Sequence, residues 1–169
     1  MGEIRSTMDI IMERARGLTM TEEEKREVRE REMGASVKGL VQKYLDGARD
    51  MDGVRTEAVA LQARDRDLTE RLLRGEILGR MAPEGENLAL LNLLEEVLGM
   101  DTGPLKAVVA EAKRETEKSR EAAVRDLLKR LAKRGISGSA VLPNLDSDPE
   151  WKRLNSELKR RFSEKIASL

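Results

Sequence analysis

The chain has 169 residues, of which 39% are hydrophobic and 38% are charged, and its 32 basic residues balance 32 acidic ones. Because it has no cysteine, it cannot use disulfides, thiolate nucleophiles or cysteine-ligated zinc. Because it has no histidine, Ser-His and Cys-His activation and the Glu-x-x-His di-iron pattern are also excluded. We therefore expect a protein that is not an enzyme and holds no cofactor.

The composition predicts an all-α fold. Tyr44, Trp151 and Phe162 are the only aromatic residues, so aliphatic side chains and methionine must fill the core. The abundant Leu, Glu, Arg, Lys, Ala and Met favour helices, whereas sheets favour aromatic and β-branched residues. The length suits one domain, residues 1–169, with a protruding coiled-coil-like element.

The first twenty residues contain a short apolar stripe and no sign of export. Gly17 ends this stripe, and Thr21 with Glu24 then forms a capping-box pattern. The N-terminus lacks an apolar signal core, and no apolar run approaches the length of a membrane span. We therefore expect a cytoplasmic protein that does not associate with membranes. The stripe predicts an amphipathic helix and consists of Ile4, Met8, Ile11, Met12 and Ala15.

A heptad register extends from Met33 to Leu72 and is broken only by Gly47 and Asp65. Such 3-4 apolar spacing predicts a long helix, about 21–82, that keeps one seam facing another helix and ends before Pro83. A break at residues 50–53, with Asp52 capping a new helix, is the alternative, and the unslipped register favours continuity. The seam positions are Met33, Leu40, Gly47, Val54, Leu61 and Leu68 in one set, and Val37, Tyr44, Met51, Ala58, Asp65 and Leu72 in the other.

The N-terminal half of this seam predicts a surface for association. A helix covering residues 104–134 is only about half as long as the rod, so the rod's first half needs another partner. The first helix, the last helix and a second subunit are the alternatives for that partner. We expect a homo-oligomer, with a dimer favoured, and an unidentified protein partner. The predicted interaction residues are Met33, Val37, Leu40, Tyr44, Met51 and Val54.

The second half of the chain predicts a buried helix, a long helix and a last amphipathic helix. Residues 88–98 are almost solidly apolar, and Gly99 ends them. Pro104 begins the helix 104–134, which we expect to pack antiparallel against the second half of the rod as a hairpin. After a loop over residues 135–148, Asp148 and Pro149 open the last helix, whose apolar face is Trp151, Leu154, Leu158, Phe162 and Ile166.

A basic segment precedes the apolar loop that contains Ile136, Val141, Leu142 and Leu145. One interpretation has the bases complementing the helix dipole while the loop straps the core. The other is a contact site for phosphate or an acidic partner, although no aromatic residue interleaves the bases for single-strand stacking. The predicted contact residues are Arg125, Lys129, Arg130, Lys133 and Arg134.

These patterns describe a mode of association more than a reaction. The favoured hypothesis is a non-enzymatic structural or adaptor protein that acts through helical protein–protein association. The alternative is a nucleic-acid- or ribosome-associated protein that uses the basic C-terminal third, against which the zero net charge weighs. A carboxylate- or lysine-dependent enzyme ranks last, for want of a convergent set of residues.

Overall fold

A computed structural model of the chain describes residues 21–169, and every regular element in that range is helical, as the composition predicts. The amphipathic segment predicted over residues 4–15 lies outside the described residues. The described elements, a 3-10 turn and six α-helices, are α1 (Glu22–Leu45), α2 (Met51–Gln62), α3 (Arg66–Arg80), α4 (Leu88–Leu98), α5 (Gly103–Lys133), the 3-10 turn (Leu145–Ser147) and α6 (Pro149–Ala167).

The predicted rod is three helices, so the expectation of a continuous helix is wrong. Gly47 adopts a left-handed conformation (φ 69°) after α1, and Asp50 then caps α2 by accepting a hydrogen bond from the Gly53 N–H at 2.9 Å. At the second break, Asp65 caps α3 by accepting from the Leu68 N–H at 3.1 Å. The two non-apolar seam positions thus mark the two helix breaks, and the cap at the first is Asp50 and not Asp52.

Helices α1 and α3 pack side by side and run in the same direction. Glu30 of α1 pairs with Arg71 at 2.9 Å, and Gln42 accepts a hydrogen bond from Arg80 at 2.6 Å. Helix α2 packs on both α1 and α3, and α4 packs on both α2 and α3. The capping box at Thr21 is present in full, with both reciprocal hydrogen bonds to Glu24.

The seam residues lie in the interior of this single chain. Val37, Leu40 and Val54 belong to the main core cluster, Met33 is also buried, and Tyr44 and Met51 pack partly buried against the cluster. These seam residues are therefore covered within one chain, by α3 and its neighbours, whereas the sequence predicted that they associate with a partner. The interior also contains these residues of α3 and α4: Leu73, Ile77, Leu90, Leu91, Leu93 and Leu94.

Helix α5 pairs with α6 and not with the N-terminal helices, which corrects the expected hairpin. The two helices are antiparallel, because Glu111 lies 3.0 Å from Lys165 and Arg130 lies 2.5 Å from Asp148. Only the first third of α5 reaches the core, through Leu105 and the partly buried Val108, Val109 and Ala112. We call residues 119–155 the arm; this range contains the second half of α5, the loop that follows it, the 3-10 turn and the start of α6.

Side-chain hydrogen bonds of Asn87 and Glu95 hold the two ends of α4 in place. Before it, the buried Asn87 side chain accepts from the Ala82 N–H at 3.1 Å and donates to the Ala82 carbonyl at 2.8 Å. After it, Gly99 closes the helix with φ 63°. The carboxylate of Glu95 then accepts hydrogen bonds from Thr102 and from Lys106, which hold the start of α5 against α4.

Candidate functional site

An open groove of about 710 Å³ lies between α3, the end of α4 and the end of α6. One wall is the face of α3 from Glu70 to Gly79, and the opposite wall is the last turn of α6. The floor is apolar and consists of Leu78, Leu98, Met100 and Ile166.

The α3 wall is open because two glycines stand on it. Gly75 and Gly79 are four residues apart and so lie on one helical face, and both line the groove. A Cβ atom built on either would meet no atom of residues 21–169 within 4 Å, so no contact in that range requires a glycine there. Each costs about 1 kcal/mol of helix stability relative to alanine. The bare backbone would let another helix approach α3 closely, since interaxial distance depends on the side chains at the contact.

The charges along the α3 wall are mainly basic. Arg71 and Arg74 line the groove together with Glu70. Glu70 is paired with Arg66, one turn earlier in the helix, at 2.8 Å. The hydrogen bond that Arg66 donates to Glu70 raises the pKa of Arg66. Arg71 is two-thirds exposed although it contacts Glu30. A ligand in the groove would therefore meet apolar side chains below and guanidinium groups along one edge.

The predicted anion-contact residues do not converge on a site. The guanidinium of Arg130 is held by the buried carboxylate of Asp148 at 2.5 Å and by Glu150 at 3.2 Å, and the Asp148 hydrogen bond raises the pKa of Arg130. Arg125 lies 3.9 Å from Glu121. Lys129 lies 3.4 Å from Asp126, while Lys133 and Arg134 are exposed at the end of α5. Three of the five bases thus have an acidic neighbour within the arm.

The loop over residues 135–145 is mostly exposed. Leu142 is 91% exposed and Ile136 is 47% exposed, whereas Leu145 is buried at the 3-10 turn. Leu145 packs against α5 and α6 within the arm and does not belong to the main core cluster. Within residues 21–169, no group of three or more carboxylates is arranged to hold a metal ion.

The groove was missed by the sequence reasoning, although a signal for it is present. Gly75 and Gly79 lie within a continuous helix, although glycine disfavours helix formation. Leu78 lies on the same face as the two glycines. The spacing Gly-x-x-x-Gly beside an apolar residue could have indicated a helix-facing surface. The heptad pattern predicts an apolar stripe, but the stripe alone does not show whether it faces the chain's own core or another molecule.

No family model matches this chain, and no curated protein or solved structure is significantly similar to it. Among the described helices, none has the length and apolar character that crossing a membrane would require. The functional inference therefore depends on the groove itself.

Proposed function

We propose that this protein is a non-enzymatic helical adaptor that binds an amphipathic helix of another protein in the groove of α3, α4 and α6. The observation that supports this is the pair of groove-lining glycines, whose missing side chains open α3 to a second helix. Laying the apolar face of a helix into an apolar groove is a recurrent mode of protein recognition.

The groove defines the chemistry of the helix that it would bind. From Glu70 to Gly79 the α3 wall is about 13 Å long at 1.5 Å per residue, enough for two to three helical turns. Such a ligand would present apolar residues at i, i+3 or i+4, and i+7. Acidic residues along one edge of that stripe would face Arg71 and Arg74, because opposite charges across an interface favour the correct register.

Selection of displayed helical peptides on the purified full-length protein tests this proposal. We expect enriched peptides to combine the apolar spacing with an acidic edge. The double substitution Gly75→Leu with Gly79→Leu fills the groove with two side chains and should weaken peptide binding at least about tenfold, or 1.4 kcal/mol.

Gly34→Leu with Gly39→Leu is the matched control. Both glycines are in the interior of α1, and neither is among the described residues that line the groove. A Cβ on either meets none of the described atoms within 4 Å. Peptide affinity should stay close to that of the unmodified protein. The absence of enriched peptides, or equal binding by both double variants, would overturn the proposal.

A second copy of the chain is the alternative partner. Light scattering on the untagged protein would then give twice the 19.0 kDa chain mass, and filling the groove would return it to 19.0 kDa. A nucleic-acid partner is less favoured, because the bases of the arm do not converge on one site and Arg130 is held by Asp148 and Glu150.

A further inference from the structure

A second, smaller cavity adjoins the floor of the groove. It has a volume of about 80 Å³ and lies between the second half of α3, the start of α5 and the end of α6. Four side chains line both cavities, so the two spaces share one boundary. The shared side chains are Arg74, Leu78, Met100 and Ile166. A helix bound in the groove would therefore lie directly beside this smaller cavity, which we call the side pocket.

The lining of the side pocket is apolar apart from two charged residues. Leu105 is 3% exposed and belongs to the core cluster, so the side pocket reaches the interior of the molecule. The carboxylate of Asp101, which also lines the pocket, accepts a hydrogen bond from the Gly103 N–H at 2.9 Å. Arg74 is half-buried at the boundary with the groove. The other lining residues are Leu78, Met100, Pro104, Ile166 and Leu169. The side pocket thus favours an apolar group that has an acidic neighbour close to Arg74.

The volume of the side pocket limits the size of that apolar group. An engineered cavity of about 150 Å³ that is lined by aliphatic and phenylalanine side chains binds benzene, which has six carbon atoms. The side pocket has about half that volume, and so has room for about three or four carbon atoms. Valine, leucine and isoleucine have side chains of this size, whereas the ring of phenylalanine is too large.

We infer that the partner helix inserts one branched aliphatic side chain, the anchor, into the side pocket and carries an acidic residue one helical turn from it. This inference rests on the proposed function, because it assigns two side chains of the partner to places in the same site. A few residues that fill desolvated pockets usually contribute most of the binding free energy of an interface. The acidic residue would pair with Arg74, because residues three or four apart lie on one face of a helix and Arg74 borders both cavities.

Affinity measurements on helical peptides selected with the full-length protein test the inference. Replacing each apolar residue of a peptide in turn with alanine identifies the anchor position, where alanine should weaken binding at least about tenfold. Phenylalanine at that position should also weaken binding at least about tenfold, because its ring exceeds the volume of the side pocket. In Arg74→Gln, replacing the neighbouring acidic residue of the peptide with glutamine should no longer change the affinity, although it weakens binding to the natural protein.

Two leucine truncations separate the side pocket from the groove. Of the described lining residues, Leu169 belongs to the side pocket alone and Leu98 to the groove alone. Leu169→Ala removes three carbon atoms from the edge of the side pocket, so the phenylalanine peptide should then bind at least as tightly as the aliphatic one. Leu98→Ala is the matched control, which should weaken binding of both peptides and leave the aliphatic peptide the tighter. Circular dichroism should show equal helicity in both variants.

The outcomes distinguish this inference from the proposed function. Selected peptides that tolerate alanine at every apolar position, or that bind the natural protein more tightly with phenylalanine at the anchor position, would overturn the inference and leave the proposed function in place. An unchanged aliphatic preference in Leu169→Ala would overturn it as well. If no helical peptide binds, the proposed function is wrong, and the inference fails with it.

Discussion

Asp50 and Asp65 each begin a helix with the same hydrogen bond, in which the carboxylate accepts from the backbone N–H three residues later. The bond satisfies a donor that the helix itself cannot pair. These aspartates therefore fix where α2 and α3 start, and through α3 they fix the position of the groove wall.

Removing the cap at Asp65 should destabilise the protein. We expect Asp65→Ala to lower the free energy of unfolding by about 1 kcal/mol, because the Leu68 N–H loses its partner, while Asp65→Asn retains most of the stability. Urea denaturation followed by circular dichroism measures both. Asp67→Ala, in the first turn of the same helix, is the control and should cost only a few tenths of a kcal/mol. Equal losses at the two positions would contradict a capping role.

The hydrogen bonds of Glu95 should make stability depend on acid. The pKa of Glu95 lies below its ordinary value of 4.5, chiefly because Lys106 donates a hydrogen bond to the carboxylate and secondly because Thr102 does. A lowered folded-state pKa stabilises the protein above pH 4.5, and this contribution is lost as the pH falls through the folded-state value. We expect the Tm difference between the natural protein and Glu95→Gln to shrink below pH 4.5. A constant difference across the titration would exclude this linkage.

At the scale of elements, the three N-terminal helices show what a heptad count can and cannot predict. The apolar spacing identified the buried face correctly, since Val37, Leu40 and Val54 are all in the core. The apolar spacing alone does not locate the two helix breaks. Three successive helices that face one core can carry the same heptad spacing of apolar residues as one continuous helix. The breaks were signalled by Gly47 and Asp65, whose side chains suit a turn and a cap better than a seam.

Glycines inside and between these helices should respond oppositely to substitution. Gly47 has φ 69°, which strains a residue with a Cβ, so Gly47→Ala should destabilise by about 1 kcal/mol. Gly34 is helical with open space around it, so Gly34→Ala should stabilise by about 0.4–1 kcal/mol. Denaturant midpoints at unchanged m-values would establish the two signs. Two changes of the same sign would be inconsistent with this backbone.

On the scale of the whole molecule, sequence patterns identified every helix of the C-terminal half but not its partners. The bounds of α4 are those predicted, because an apolar run between a polar turn and Gly99 leaves few alternatives. The pairing of α5 was wrong, because its apolar residues are gathered at its two ends and its charged middle fits several neighbours. The apolar face of α6 packs Phe162 and Ile166 into the core, and α5 pairs with this helix.

Phe162 connects α6 to the core and should be among the costliest positions to truncate. It is 2% exposed, so Phe162→Ala should lower the free energy of unfolding by about 3–5 kcal/mol through lost burial and a cavity. Leu154, predicted on the same face, is 38% exposed, and Leu154→Ala should cost less than about 1 kcal/mol. Chemical denaturation of both variants makes the comparison. Similar costs would mean that α6 is not anchored by its C-terminal half.

The buried Trp151 gives the molecule an internal optical reporter. It is the only tryptophan, it is 5% exposed, and it lies in the arm, away from the core of α1–α4. Its fluorescence therefore follows the environment of the arm, whereas far-UV ellipticity follows all the helices. We expect the emission maximum to shift to longer wavelength at a lower urea concentration than the loss of ellipticity, because α5 and α6 support each other there with few contacts to the core. Coincident transitions would instead show that arm and core unfold as one cooperative unit.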